Sequence, residues 1–150
     1  MAISIIRVED PSSLQDAFEV RRQVFIEEQH VPEDMELDEY DDAPQTIHIL
    51  ARDENGSPVG TARFRPYHDA GVAKVERVAV VGSHRGTGLG RSLMKFIEAE
   101  ASHEGFRELR LNAQTHAQCF YERLGYKAVG NVFFEAGIEH IAMWKPLSTH

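Results

Sequence analysis

The sequence predicts an α/β (α+β) fold in one domain spanning residues 1–150, a mixed sheet flanked by helices, and three patterns carry that expectation. Runs of two-residue apolar alternation, around Ile47 to Ala51, Val59 to Phe64 and Leu109 to Leu111, interleave with runs of three-to-four-residue spacing, around Leu14 to Phe25 and Leu89 to Ala101. The first two alternating runs flank Asp53-Glu54-Asn55-Gly56, a turn cluster that makes them an antiparallel hairpin. Further on, a valine-rich run to Val81, a helical stretch and the strand around Leu109 follow one another. Two strands separated by a helix need a crossover and therefore lie parallel. A chain of 150 residues, 42% hydrophobic and 27% charged without a compositional break, suffices for one core.

Taken in order, Ile3, Ile5, Ile6 and Val8 give a short first strand. Asp10-Pro11 then starts a helix, because aspartate accepts from the open first-turn amides and proline suits the first helical position. An apolar stripe of Leu14, Phe18 and Phe25, broadened by Ala17 and Val24 and passing Arg21 or Arg22, carries that helix to about Glu28. From Glu27 to Asp42 the chain changes character: Glu33, Asp34, Glu36, Asp38, Glu39, Asp41 and Asp42 crowd around few apolar residues, and Pro32 interrupts any helix. A long acidic loop is expected there, either a solvated surface or a wall that attracts an amine. After the hairpin, the turn at His68-Asp69-Ala70-Gly71 leads to Lys74 through Val81, whose valines suit an interior strand covered on both faces. Leu89, Leu93, Phe96, Ile97 and Ala101 form an amphipathic helix that stops at Gly105. A further helix from about Ala117 to Leu124 closes at Gly125. Two last strands, through Phe133 and from Ile138 to Trp144, join near Glu135-Ala136-Gly137.

The formal charge of −8 argues against nucleic acid as a partner, since such proteins neutralise phosphates with a basic face, and favours cationic partners. Cys119 is the only cysteine and excludes an internal disulfide, and the N-terminus lacks the basic-then-apolar layout of a signal peptide. No apolar run approaches the roughly 20 residues that cross a bilayer. The expectation is a cytoplasmic protein with no membrane partner. The eight histidines show no paired ligand spacing, so no metal is expected.

Chemistry concentrates where the valine-rich strand enters Arg85-Gly86-Thr87-Gly88-Leu89-Gly90-Arg91 and then a helix. Glycine permits tight turns and the first helical amides have no internal partner, so such a junction can turn several N–H groups on one anion. Arg85, Gly88 and Gly90 resemble the Arg/Gln-x-x-Gly-x-Gly/Ala signature of the GNAT acetyltransferase family. Asn112 and Cys119-Phe120-Tyr121-Glu122-Arg123-Leu124-Gly125-Tyr126 resemble its second signature. A dinucleotide-binding turn would instead follow the first strand, with an acidic residue about 20 positions on. Here the turn comes late, and the order of elements matches the family over nearly the whole chain. Arg22-Gln23-Val24-Phe25 and Glu36-Leu37-Asp38-Glu39-Tyr40-Asp41 further resemble an ElaA/YjcF-like bacterial subgroup and, more distantly, acyl-homoserine-lactone synthases. The chain differs from the synthases in being short and in having no tryptophan in the acidic stretch, its only one being Trp144.

The resemblance implies a single-domain GNAT fold with a mostly antiparallel central sheet whose parallel pair is splayed at the acetyl-CoA site. It also implies acetyl-CoA as co-substrate, an amine acceptor on a small molecule or a protein, and a homodimer. Acetyl-CoA would be held by the backbone of Val78, Ala79 and Val80, by the amides of Gly86, Thr87, Gly88, Leu89 and Gly90 with Arg85 or Arg91 as cation, and by Asn112 and Phe120. Tyr121 matches the family's general acid, and a phenol with an ordinary pKa near 10 stays protonated. It also shares helical spacing with Ala117 and Leu124, which suits plain packing. Glu76 shares strand parity with Val78 and Val80, so it is either a base at the acyl end or the cross-strand partner of an arginine. Asn112 orients substrate or caps a turn, and His140 is a second base candidate or a structural histidine. Acceptor contacts are expected from Arg22, Phe25, Glu28, Glu36, Asp38, Asp41 and His140. The alternatives are an acyl-homoserine-lactone-synthase-like transfer and a non-catalytic acyl-CoA-binding module.

Overall fold

A computed structural model describes residues 2–148; Met1, Thr149 and His150, at the ends of the expected domain, lie outside the described residues. The strands are β1 (Ser4–Arg7), β2 (Ile47–Arg52), β3 (Pro58–Pro66), β4 (Val72–Val80), β5 (Glu108–Gln114), β6 (Lys127–Glu135) and β7 (Ile138–Pro146). They form one sheet in the order β1-β2-β3-β4-β5-β7-β6. Every neighbouring pair is antiparallel except β4 with β5, as the hairpin turn and the helical crossover predict. Helices α1 (Pro11–Arg21), α2 (Glu33–Glu36), α3 (Leu89–His103) and α4 (Gln118–Arg123) complete the domain. No helix among the described residues is long and apolar enough to cross a membrane.

Alternation along β3 decides which helix covers which face. A Cβ added at Gly60 would lie 3.0 Å from Leu93 and 3.4 Å from Leu89, so the face carrying Gly60, Ala62 and Phe64 is the one α3 packs on. Arg63, one position out of phase, points to the opposite face, where it meets Asp41 beside Arg21 of α1. Leu93 and Ile97 of α3 are fully buried, which is the burial their spacing requires.

The first helix starts as expected: the side chain of Asp10 accepts from the amide of Ser13, and Pro11 occupies the first turn. Its buried stripe, however, is Ser13, Ala17, Val20, Arg21 and Val24, with Leu14, Phe18 and Phe25 half-buried. The stripe is rotated because an arginine belongs to it, and from Arg22 to Glu28 the helix continues in the wider π form.

The expected acidic loop is also corrected. Its carboxylates build α2, and Asp38 and Asp41 cap a 3-10 turn at Glu39–Asp41 reciprocally, each side chain accepting from the other end's backbone. Glu36 and Asp41 are 3% and 7% exposed, so the segment is neither uniformly solvated nor uniformly a wall.

Candidate active site

The cleft exists because β4 carries an extra residue against β3 and parts from β5 at the same level. The register with β3 slips between Thr61 and Arg63, and Arg77 takes φ 59°, a left-handed conformation that non-glycine residues seldom hold. Beyond the bulge β4 no longer pairs with β5: the parallel register runs from Val72↔Glu108 to Val75↔Leu111 and stops. Arg77 is fixed by its own side chain, whose Nε and Nη2 donate to the carbonyl of Glu36 at 3.1 and 2.8 Å and which pairs with Asp38 at 3.2 Å. The strands splay around a cleft of about 530 Å³ lined by Glu76, Val78, Ala79, Val80, Asn112, Tyr121 and His140, among others. On the β5 side the backbone of Val78, Ala79 and Val80 is left without a strand partner.

At the top of β4 the chain makes a 3-10 turn (Gly82–His84) and reaches the glycine junction, where Gly86 and Gly88 have φ 75° and 89°. No atom lies within 4 Å of where a Cβ would sit on either glycine, so the cradle is open. Gly90 serves packing instead, since its added Cβ would stand 3.2 Å from the ring of Phe120. Leu89 buries its side chain in the core, Thr87 donates to the carbonyl of His84 at 2.6 Å, and Arg91 is exposed. Among the described residues none of the amides from Gly86 to Gly90 bonds a backbone acceptor across the turn. Open space and unpaired donors at the start of a 15-residue helix fit the diphosphate expected there.

Tyr121 sits on α4 with its ring edge-on to Phe120 and Tyr126 and its side chain against the cleft. Burial pushes its phenol above the ordinary value, and its hydroxyl has no hydrogen-bond partner among the described residues. Packing and cleft exposure are both present, so the two readings of Tyr121 are compatible. His140 is 7% exposed and stacks on Phe133. Its Nδ1 lies 2.7 Å from the carbonyl of Ile138, which can only accept, so Nδ1 carries the proton and Nε2 keeps its lone pair in the neutral ring.

Glu76 reaches the cleft as strand parity requires, but as an anion among cations. It lies directly across from Arg63 in the β3 register and accepts from Arg63 at 3.0 Å and Arg65 at 2.8 Å, with Lys74 at 3.6 Å. Burial alone would push its carboxyl up; the Arg65 hydrogen bond and the charges of Arg63, Arg65 and Lys74 outweigh that and hold it at about 2. A carboxylate so stabilised is a weak proton acceptor, which weighs toward the cross-strand reading of Glu76 over the base.

The acceptor residues divide. Phe25, Glu28, Glu36, Asp38 and His140 line the cleft, whereas Arg22 and Asp41 do not. Arg22 is exposed and pairs with Glu19 and Glu27 on its own helix. Asp41 and Glu36 are bound by Arg21, at 2.6 and 2.8 Å, and Asp41 also by Arg63 at 2.6 Å. Burial would raise the Asp41 carboxyl, but the hydrogen bond and charge of Arg21, the Asp38 amide and the Arg63 charge hold it at about 2. Asp41 therefore belongs to the frame of the cleft. Sequence reasoning missed Arg63 and Arg77, whose partners lie 13 to 42 residues away, and the reciprocal amide pair of Gln29 and Gln114 across the cleft at 2.9 and 3.3 Å. The one available signal was the Arg63-x-Arg65 alternation facing a lone acid in the next strand.

Residues 9–147 match the family model described as acetyltransferase (GNAT) domain. The uncharacterized N-acetyltransferase YjcF of Bacillus subtilis is 41% identical over 133 residues, covering 88% of this chain and 91% of that one. The crystal structure of Escherichia coli ElaA superposes with a TM-score of 0.85 at 29% identity, over 96% of this chain and 99% of that one. The acyl-homoserine lactone synthase BjaI shares the fold, with a TM-score of 0.82 to 0.83 at 18% identity over 98% of this chain and 84% of that one.

Proposed function

The chain belongs to the GNAT acetyltransferase family, and from that premise we propose that it transfers an acetyl group from acetyl-CoA to a primary amine, on a small molecule or an exposed protein amine, by direct attack. The observation that carries this reading is the splay of β4 from β5. It leaves the backbone of Val78 to Val80 free to pair with an extended ligand beside the open amides of Gly86 to Gly90. When bound, acetyl-CoA supplies an activated acyl carbon and a thiolate leaving group.

The residues of this chain divide the remaining work. Amides of Gly86 to Gly90, with Arg85 and Arg91, hold a diphosphate at the positive end of α3. A free amide of Val78 to Val80 stands where it polarises a carbonyl laid along the strand. Tyr121 keeps its proton because burial raises its phenol, and its Oη holds that proton for the departing sulfur. Nε2 of His140 is the acceptor for the proton of the attacking amine, a role that Glu76, surrounded by cations, fills poorly. Asn112 lines the cleft beside them and orients what binds there.

The test is a panel of amines, including peptides with free termini and lysines, read by thiol release from acetyl-CoA. Turnover of at least one amine is expected, and Tyr121→Phe should lower it by about a hundredfold with CoA affinity unchanged. Binding of acetyl-CoA without turnover of any amine would overturn the transferase reading in favour of a non-catalytic acyl-CoA-binding module.

A further inference from the structure

Three cations line the cleft, and they are not held alike. Lys74 and Arg77 are engaged by the half-buried Glu76 and by the buried Glu36, on the inner side of the cleft. Arg85, at the glycine junction, donates through Nε to the carbonyl of Val80 at 2.9 Å and through Nη1 and Nη2 to the two carboxylate oxygens of Glu28 at 2.8 and 2.9 Å. This is a two-toothed ion pair whose partners are 47% and 41% exposed, a setting in which such pairs are weak and exchangeable.

Glu28 reaches Arg85 through a departure from ordinary helix geometry. It closes the π-helical segment, where the amide of Gln29 bonds back five residues to Val24 and that of Val31 six residues to Phe25. Gln29 is tied to Gln114 at the end of β5, so residues 28 and 29 touch both arms of the splay, one through an amide pair and the other through Arg85.

We propose that Glu28 is the resident counter-ion of the donor site: its carboxylate occupies Arg85 until a diphosphate arriving on the amides of Gly86 to Gly90 takes the guanidinium and releases Glu28 into the cleft. The inference rests on the acyl-CoA reading above. A diphosphate brings more negative charge to the guanidinium than one carboxylate and finds unpaired amides beside it, so the exchange favours the ligand. The carboxylate that it displaces opposes binding by the strength of the pair it loses. Glu28 thus sets donor affinity without needing to touch the donor.

The experiment is calorimetric titration of CoA into the wild type, Glu28→Gln, Arg85→Gln and the double variant, with circular dichroism confirming that each is folded. Glu28→Gln removes the competitor and should tighten CoA about two- to fivefold. In the Arg85→Gln background the same change should have no effect, because the guanidinium that couples the two is gone. Unchanged or weaker binding by Glu28→Gln, or an equal tightening with Arg85 absent, overturns the exchange and leaves the acyl-CoA reading standing. Failure of CoA to bind the wild type at all overturns that reading, and the exchange with it.

Discussion

Two sets of guanidinium–carboxylate contacts flank the same cleft and do opposite things. In the inner set Arg21 and Arg63, each 1% exposed at the side chain, hold Glu36, Asp41, Asp38 and Glu76 in a connected cluster. At the mouth, Arg85 and Glu28 form one pair in near-aqueous surroundings. The chemistry and distances are alike, and burial makes the difference. Charges taken out of water must stay paired, because an uncompensated buried charge costs several kcal/mol, so the inner cluster is a fixed frame. A pair in water loses little when its partners change, so the mouth can exchange.

Acid should break this contrast most visibly. The carboxyls of Asp41 and Glu76 lie at about 2 in the folded protein, against ordinary values of 3.8 and 4.5. Between about pH 4.5 and 2 the unfolded chain therefore binds more protons than the folded one, and stability falls as pH falls. Circular dichroism should show unfolding across that window, with the contribution fully present above it. Asp41→Asn isolates one partner: Arg21 and Arg63 lose a shared anion, and a cost of about 3–5 kcal/mol is expected in urea unfolding. A cost below about 1 kcal/mol would mean that the cluster is not the frame described here.

Glu76→Gln sharpens the assignment of roles. It should destabilise by about 1–3 kcal/mol, since Arg63 and Arg65 lose a charge-assisted partner. It should also leave kcat close to that of the wild type, whereas His140→Gln should lower kcat about a hundredfold. A hundredfold loss of kcat in Glu76→Gln instead would return the base role to the carboxylate. At the small end, Arg22→Ala removes exposed contacts to Glu19 and Glu27 and should leave the urea midpoint unmoved.

The fold was legible in advance wherever a feature depends on residues close in sequence. The Asp10 cap, the turn at residues 53–56, the glycine junction and the parallel crossover all follow from local pattern, and all are present. The reading failed at residue resolution on the first helix. Arg21 and Arg22 are neighbours about 100° apart around a helix axis, and only packing determines which faces the sheet. The acidic stretch failed for a related reason. Nothing in its composition tells Asp41, bound by two arginines from other elements, from Asp42, which is exposed.

The sequence by itself determined the order of elements, the crossover that makes β4 and β5 parallel, and a glycine-rich strand-to-helix junction at Gly86 to Gly90. These need only backbone conformation and periodicity over a turn or a strand. Tertiary structure alone decided that β4 bulges at Arg77 and parts from β5, that Glu76 faces Arg63, and that Glu28 reaches Arg85 across 57 residues of chain. The role of a charged group is set by its distance from other charges and from water. Both are properties of the folded surface, which local sequence does not encode.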